Sequence, residues 1–499
     1  MPQKDLIALV LLGCGIAGGV GVACVWKRAR DFFFVLMIFL SPMTEFVDVN
    51  FVSRDWYRGT TRGFEVSLVD VLSLSLLGAL VLAPRRGQSR GFWPASFGLL
   101  LLLFIYACFN VGIAEPKLFG LFELSKMLRG MAIFLAVAFF VRGDRELKLL
   151  VATLAVVVCF EGLFALKQRY FNGIHRVYGT IDDSNSLSFF FCATTPVLVA
   201  ALSARMSRWV KLAAAGALVL ACVGVVLTIS RTGVMTMALV LVATAAATVS
   251  WKITARKILV GLVSVACLGA ITVKSWHSLQ TRFASSDMGS EYGNKHTMGR
   301  GYYIRIALAI AEEAPFGVGL NNWSFWASNK YGPRLGYFFV PYKGTDKEPS
   351  NIVPEGRNVD MAQAAPAHSL AALMLGELGL PGLLLFALIW VRWFQMGVGF
   401  VWRRSPESML RIGTGLFFAL GAMFLHSLTE WVFRQSPIYY MCHILLGALA
   451  SLYYVRRQKE RAARRERQTN MEGRPANARE FASAEGVPAW KVAPGWSGS

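Results

Sequence analysis

Charge is scarce in this chain: Asp, Glu, Lys and Arg make up 16% of its 499 residues, against 55% hydrophobic residues and a mean hydropathy of +0.48. A soluble domain carries roughly 25% charged residues, so that class is excluded. Acidic residues are the rarer sign, 30 against 51 basic ones, for a formal charge of +21. The excess lies mostly in short connectors and a tail, so it reports membrane topology and contact with anionic lipids, and nothing resembles a reader of nucleic acid. Histidine occurs six times. Most of the eight cysteines, such as Cys159, Cys192 and Cys222, sit inside apolar runs without metal-ligand spacing. They read as packing residues rather than disulfides or ligands. No cluster of carboxylates or histidines suggests a metal, no motif suggests a cofactor, and neither a soluble domain nor an internal repeat is visible.

What fills the chain instead is apolar runs. Residues 6–26, 92–113, 149–166 and 370–390 each approach the roughly 20 residues that a helix needs to cross the hydrocarbon core. They are apolar on all sides rather than alternating, and lipid-exposed backbone must satisfy its own hydrogen bonds, so they are helices and not barrel strands. The expected fold is all-α, a polytopic membrane protein with about 12 or 13 transmembrane helices. Basic clusters recur at Lys27, Arg28 and Arg30, around Arg85, Arg142, Arg205, Lys252 and Arg403, and from Arg456 onward. Every second connector is basic, which places these connectors in the cytoplasm. Arg54, Arg58 and Arg62 break the pattern and leave the first two spans the least determined. The string Leu-Leu-Gly-Cys at 11–14 resembles a lipobox, but the apolar segment continues past it, so it reads as a span and not a cleaved signal. The membrane domain is set at residues 1–455; residues 456–499 form a polar, basic cytoplasmic tail, a short helix running into disorder.

The alternate, outward connectors hold the unusual residues. The longest, residues 274–367, far exceeds an ordinary connection and is a candidate for function. Apolar Ile306, Ala309 and Ile310 at helical spacing predict a helix over residues 302–313, which Pro315 ends, and a short aromatic helix follows 315–323. Residues 343–363 read as a mobile hairpin or lid. The loop's many aromatics either seat it at the interface or stack against sugar rings.

Arg231 stands at the seam of two apolar runs, in "LTISRTGVMT". It either snorkels to headgroups, pairs with an acid on a neighbouring helix, or binds an anionic substrate. A helix starts at Thr232 and Gly233, whose N–H groups favour phosphate. "HRVYGTIDDSN" supplies Arg176, Asp182, Asp183 and Asn185; the adjacent acids are explained by capping the next helix. Arg300 and Arg305 open the amphipathic helix of the long loop, and arginine suits bidentate phosphate contact. His368 stands where that loop re-enters the membrane. Glu377, nine positions on, falls on the opposite helix face and should not pair with it unless Gly376, Gly379 and Pro381 break the helix. His426 and Glu430 share a face at i, i+4, and two such groups make no metal site.

The order of these pieces, S-R-T-G closing one span, G-R and "PFGVGLNNW" in the outward loop, and "HSLAALMLGELGLPG" opening the return helix, resembles the O-antigen ligase and O-antigen polymerase superfamily over residues 176–390; "HSLTE" at 426–430 extends it. The resemblance implies metal-independent glycosyl transfer at the periplasmic face of a bacterial inner membrane. The donor would be a glycan on undecaprenyl pyrophosphate, and the acceptor a lipid A core, another lipid-linked glycan or a protein hydroxyl. It places Arg231 and Arg300 at the pyrophosphate and His368 at the acceptor hydroxyl, as base or as positioning group. Arg305 shares or takes over the role of Arg300, and Arg176 joins the substrate-binding set. The paired motifs favour the ligase form over polymerase or protein glycosylation. A transporter of lipid-linked glycan would show broken helices in repeat-related positions, and no repeat is found.

Overall fold

The computed structural model describes residues 3–54, 56–84, 92–248, 280, 300–337, 363–402 and 405–472. The chain divides into two units, Met1–Leu452 and Tyr453–Ser499. The first is the helical bundle described below; in the second, Arg456 pairs with Glu460 one helical turn on. The basic clusters at Arg85 and Lys252, the residues Arg403 and Arg404, and nearly all of the expected lid at 343–363 lie outside the described residues.

The protein is an all-α polytopic membrane protein. Helices α1 (Gln3–Val25) and α2 (Lys27–Leu40) are followed by one turn, α3 (Thr44–Val47), and by a hairpin of β1 (Asp48–Phe51) and β2 (Phe64–Ser67), the one sheet among the described residues. Then come α4 (Leu68–Leu82), α5 (Phe97–Ile113), α6 (Lys117–Phe140), α7 (Asp144–Tyr170), α8 (Ser184–Ser203), α9 (Arg208–Thr228) and α10 (Arg231–Thr248). The long loop contributes α11 (Arg300–Glu313), as its spacing predicts, and short turns from Trp323 to Arg334; α12 (Leu370–Val401), α13 (Ser408–Thr429) and α14 (Ser436–Glu472) follow. Among described helices, α7 to α10, α12, α13 and α14 through Thr469 are long and apolar enough to span a bilayer, and α4, α5 and the end of α1 are shorter apolar helices.

Helix α8 is the core of the bundle, buried nearly throughout and packed between α9, α10 and α13. Small residues allow the approach: a methyl group on Gly224 of α9 would overlap the Phe191 ring, and one on Gly233 of α10 would overlap Ser188 Oγ. The two ends of the bundle differ as the charge pattern requires. At one end the basic connectors meet: Arg145 pairs with Asp31, Arg205 N donates to Pro406 O, and Arg411 donates to Thr248 O at 2.6 Å. At the other end the hairpin joins the long loop, with Tyr57 donating to Asn321 O and Thr60 N to Asn321 Oδ1 at 2.8 Å. The connector carrying Arg54, Arg58 and Arg62 therefore lies with the long loop despite its arginines.

Two motifs of the sequence prove to be one backbone-linked unit. Gly379 has φ 64°, and with Pro381 it breaks α12, which frees carbonyls that the helix would otherwise satisfy. The "PFGVG" segment supplies the replacements: Val318 N donates to Gly376 O at 3.0 Å and Gly319 N to Glu377 O at 2.9 Å, while Leu380 N donates to Pro315 O at 3.1 Å. Asn110 of α5 closes the arrangement, donating to Phe316 O and accepting from Leu320 N, both at 2.8 Å.

Beneath the hairpin lies a cluster of buried charges. Lys126 Nζ sits 2.8 Å from Glu123 Oε2 and donates to Thr61 Oγ1 and Arg434 O, both at 2.6 Å. Arg434 spans Glu123, at 3.1 Å, and Glu377. Glu377 thus turns to Arg434 and not to His368. Nearby, Arg129 meets Asp70 at 2.7 Å, Glu65 at 3.4 Å and Asp48 at 3.7 Å. Burial pushes the Asp48 carboxyl up to about 7, against the pull of Arg129.

Lys126→Met would leave Glu123 buried with one cation fewer, at a cost of about 3–5 kcal/mol; the melting midpoint of detergent-purified protein is expected to fall accordingly. Asp48 holds its proton more tightly when folded than when unfolded, so its contribution is full below the unfolded value and lost as pH rises through 7. Asp48→Asn is therefore expected to melt higher than wild type at pH 8 and to match it near pH 4, which thermal scans at the two pH values check.

Candidate active site

The S-R-T-G string is a helix junction in which each residue has a task. Ile229, in the left-handed conformation at φ 52°, ends α9. Ser230 Oγ then accepts from Gly233 N at 3.3 Å, an N-cap contact for α10. Arg231 takes the first helical position, and Thr232 Oγ1 lies 3.3 Å from Thr429 Oγ1 at the end of α13. Glycine follows because Ser188 of α8 leaves no room for a side chain.

The connector before α8 is pinned from below by α7. Gln168 accepts from Gly179 N at 2.9 Å and donates to Gly179 O at 3.0 Å, and buried Glu161 accepts from Thr180 N at 3.0 Å. Asp183 caps α8, accepting from Ser186 N at 2.8 Å, as its position before the helix implies. So held, Arg176 reaches across to Thr228 O with Nε, at 3.1 Å, and to Asn185 Oδ1 with Nη2, at 2.6 Å.

Arg176, Asn185 and the junction residues Ser230, Arg231 and Thr232 line a small polar cleft together with Arg300 and Glu430. Glu430 organises it. It caps the end of α13, where the chain turns extended, and is only 3% exposed. Its Oε1 receives Arg300 Nη2 at 2.9 Å and Asn185 Nδ2 at 3.3 Å; its Oε2 lies 2.7 Å from His368 Nδ1. His368 stands just before Ser369, whose side chain caps α12. The Tyr303 ring packs edge-to-face with the imidazole, 5.2 Å between ring centroids, and burial pushes the Tyr303 hydroxyl up to about 12, so it stays neutral.

Of the residues singled out in the sequence, Arg176, Arg231 and Arg300 share one cleft, and His368 joins them through Glu430. Arg305 lies apart from the lining; its Nη2 contacts the Tyr337 hydroxyl at 2.6 Å. His426 shares no side-chain bond with Glu430: it stays in the core against Phe189, 5.2 Å between ring centroids, and only its backbone carbonyl meets Glu430 N. Glu430 is the cleft residue that helical spacing sets beside His426, and it turns elsewhere because the helix stops at Thr429. The available signal was a brief polar turn between two apolar runs carrying both Glu430 and Arg434. Among the described residues no three His, Cys, Asp or Glu side chains gather at one point.

Chemically, the cleft sets three guanidinium groups and a helix N-terminus against one carboxylate, an excess that suits a polyanion. The carboxylate in turn fixes one imidazole nitrogen and leaves the other for a second partner.

No curated protein matches the chain. Residues 216–387, from within α9 into α12, match the family described as O-antigen ligase. The matched segment contains Arg231, Arg300, Arg305 and His368, whereas Arg176, Asn185 and Glu430 reach the cleft from outside it. This segment's match supports a place for the chain in the O-antigen ligase superfamily, and with it glycosyl transfer of the ligase or polymerase type in general.

Proposed function

We propose that the protein transfers a glycan from undecaprenyl pyrophosphate to an acceptor hydroxyl at the periplasmic face of a bacterial inner membrane, in the manner of an O-antigen ligase with lipid A core as acceptor. The observation that carries this is the convergence of Arg176, Arg231 and Arg300 on one cleft with a histidine held by Glu430.

In the transfer, the bond between the anomeric carbon and the pyrophosphate oxygen breaks, and the acceptor oxygen bonds to that carbon from the opposite side. Negative charge gathers on the departing pyrophosphate, where fixed guanidinium groups and the first N–H groups of α10 stabilise it without reorganising. The acceptor proton passes to His368 Nε2. Nδ1–H of the same ring donates to Glu430 Oε2, which sets the tautomer and steadies the imidazolium that forms. The product glycan carries the inverted anomeric configuration. A polymerase or a protein-glycosylating ligase would differ only in the acceptor. A carrier that merely moved the lipid-linked glycan would have no use for a carboxylate-oriented imidazole at the anion site.

His368→Ala and Arg231→Ala are expected to reach the membrane at wild-type levels and to lose transfer, by about 10²–10⁴-fold for the general base and about 10²–10³-fold for the charge-stabilising donor. The assay is purified protein in detergent with a lipid-pyrophosphate glycan and lipid A core, the product read by mass spectrometry and its linkage by NMR. Transport would need a sealed vesicle and leave the linkage intact. Wild-type rates from both variants would remove the assignment. Glu430→Gln keeps an acceptor for Nδ1–H but loses the charge; it is expected to lower kcat by roughly 10²-fold with little change in KM for the donor, whereas a purely structural role would lower membrane levels instead.

A further inference from the structure

Asn185 lies in the first turn of α8 and lines the polar cleft. The helix does not call for it. Asp183 already caps α8, its Oδ2 accepting from both Ser186 N and Ser186 Oγ at 2.8 Å, and the helix dipole favours a carboxylate over an amide in a first turn. An asparagine at this place answers to its partners rather than to the helix.

Those partners are of opposite kinds. Asn185 Oδ1 accepts from Arg176 Nη2 at 2.6 Å, and Asn185 Nδ2 donates to Glu430 Oε1 at 3.3 Å. A guanidinium only donates and an ionised carboxylate only accepts, so the two together fix the sense of the amide. Aspartate, of nearly the same shape, would hold Arg176 but would set a second negative charge against Glu430. Leucine, also similar in size, makes neither bond.

The consequence falls on Arg176. Its Nε donates to Thr228 O at 3.1 Å, a carbonyl in the last turn of α9. Both of these acceptors are neutral, whereas Arg300 faces the Glu430 carboxylate at 2.9 Å. Arg176 is thus held in place with its charge uncancelled, and a guanidinium has more donors than these two bonds use. Donors fixed in advance are the ones that stabilise charge as it develops.

On the transfer reading given above, we propose that Asn185 is a positioning residue for the donor: anchored on Glu430, it aims the Arg176 guanidinium at the leaving diphosphate without neutralising it. Asn185 itself touches neither the anomeric carbon nor the acceptor. Its effect on the donor passes through Arg176.

The test measures binding of inorganic pyrophosphate to the full-length, detergent-purified protein by isothermal titration calorimetry, which needs no turnover. Asn185→Leu is expected to raise Kd roughly 10-fold, and Arg176→Ala roughly 10- to 100-fold. Because Asn185 acts through Arg176, adding Asn185→Leu to Arg176→Ala is expected to change Kd by no more than about 2-fold. A residue that merely held α8 in place would instead weaken the double variant by the product of the two single effects. That outcome, or wild-type affinity in Asn185→Leu, would overturn the proposal and leave the transfer reading standing. A wild-type protein that binds no pyrophosphate would overturn both. Should the leucine variant fail to fold, Asn185→Ser, too short to bridge the two partners, is carried through the same cycle.

Discussion

A carboxylate taken out of water must be matched by donors or give up its charge, and the end of this bundle that carries the long loop is arranged around one such group. Glu430 is almost fully buried, and its two oxygens divide the work: one receives Arg300 and Asn185, the other faces His368. Four separate stretches of chain are thereby fixed to one another, the start of α8, the start of α11, the residue before Ser369 and α12, and the end of α13. None of them is adjacent in sequence, and hydrophobic packing alone would not set their side chains to within hydrogen-bond distance. The cleft has its shape because each of these ends must bring a donor to the same acid.

The same requirement recurs one layer away. Glu123, Lys126, Glu377 and Arg434 form a cluster in which every charge has an opposite neighbour, and the broken helix α12 makes it possible. Were α12 continuous, Pro381 would still remove a donor and the carbonyl of Glu377 would have no helical partner. The break at Gly379 instead lets the "PFGVG" backbone supply N–H groups. Backbone and side chain of Glu377 are thus satisfied on two sides at once, by the long loop and by Arg434. The loop that carries α11 is docked by hydrogen bonds rather than by apolar burial alone, which holds Arg300 and Tyr303 in fixed relation to His368.

How much of this could be read in the sequence follows from which forces act locally. Span and helix character were legible because apolar runs of sufficient length allow only a helix in lipid, and α11 was legible from the spacing of Ile306 and Ile310. Arg231, Arg300 and His368 stood out because each breaks an apolar or loop pattern at a span boundary. Glu377 does not meet His368 even though Gly379 and Pro381 break α12, the case in which helix geometry leaves that pairing open; its partner Arg434 was not legible in the sequence. Glu430 was set on a face with His426 by a spacing that presumes an uninterrupted helix; the helix ends at Thr429, and the side chain swings to a different neighbour. Lys126 and Glu123 passed unremarked, because two opposite charges one turn apart in an apolar helix look like an ordinary surface pair until the bundle buries both. The β1–β2 hairpin was hidden for a related reason: its strands are four residues long and lie between two spans.

On the proposed function, the division of Glu430 has a mechanistic consequence that the motifs taken singly do not. Arg300 has more donors than the one it gives to the carboxylate, so it can hold a pyrophosphate oxygen without releasing Glu430. The cation that steadies the leaving group and the imidazole that takes the acceptor proton are then bound to the same acid through different oxygens. Positive charge grows on His368 as negative charge grows on the pyrophosphate, and Glu430 lies between them, electrostatically favouring the first while Arg300 favours the second. A site built from two independent halves could bind donor and acceptor separately. One carboxylate shared by both halves makes their relative position a property of the fold, which is what a displacement between two bound substrates needs.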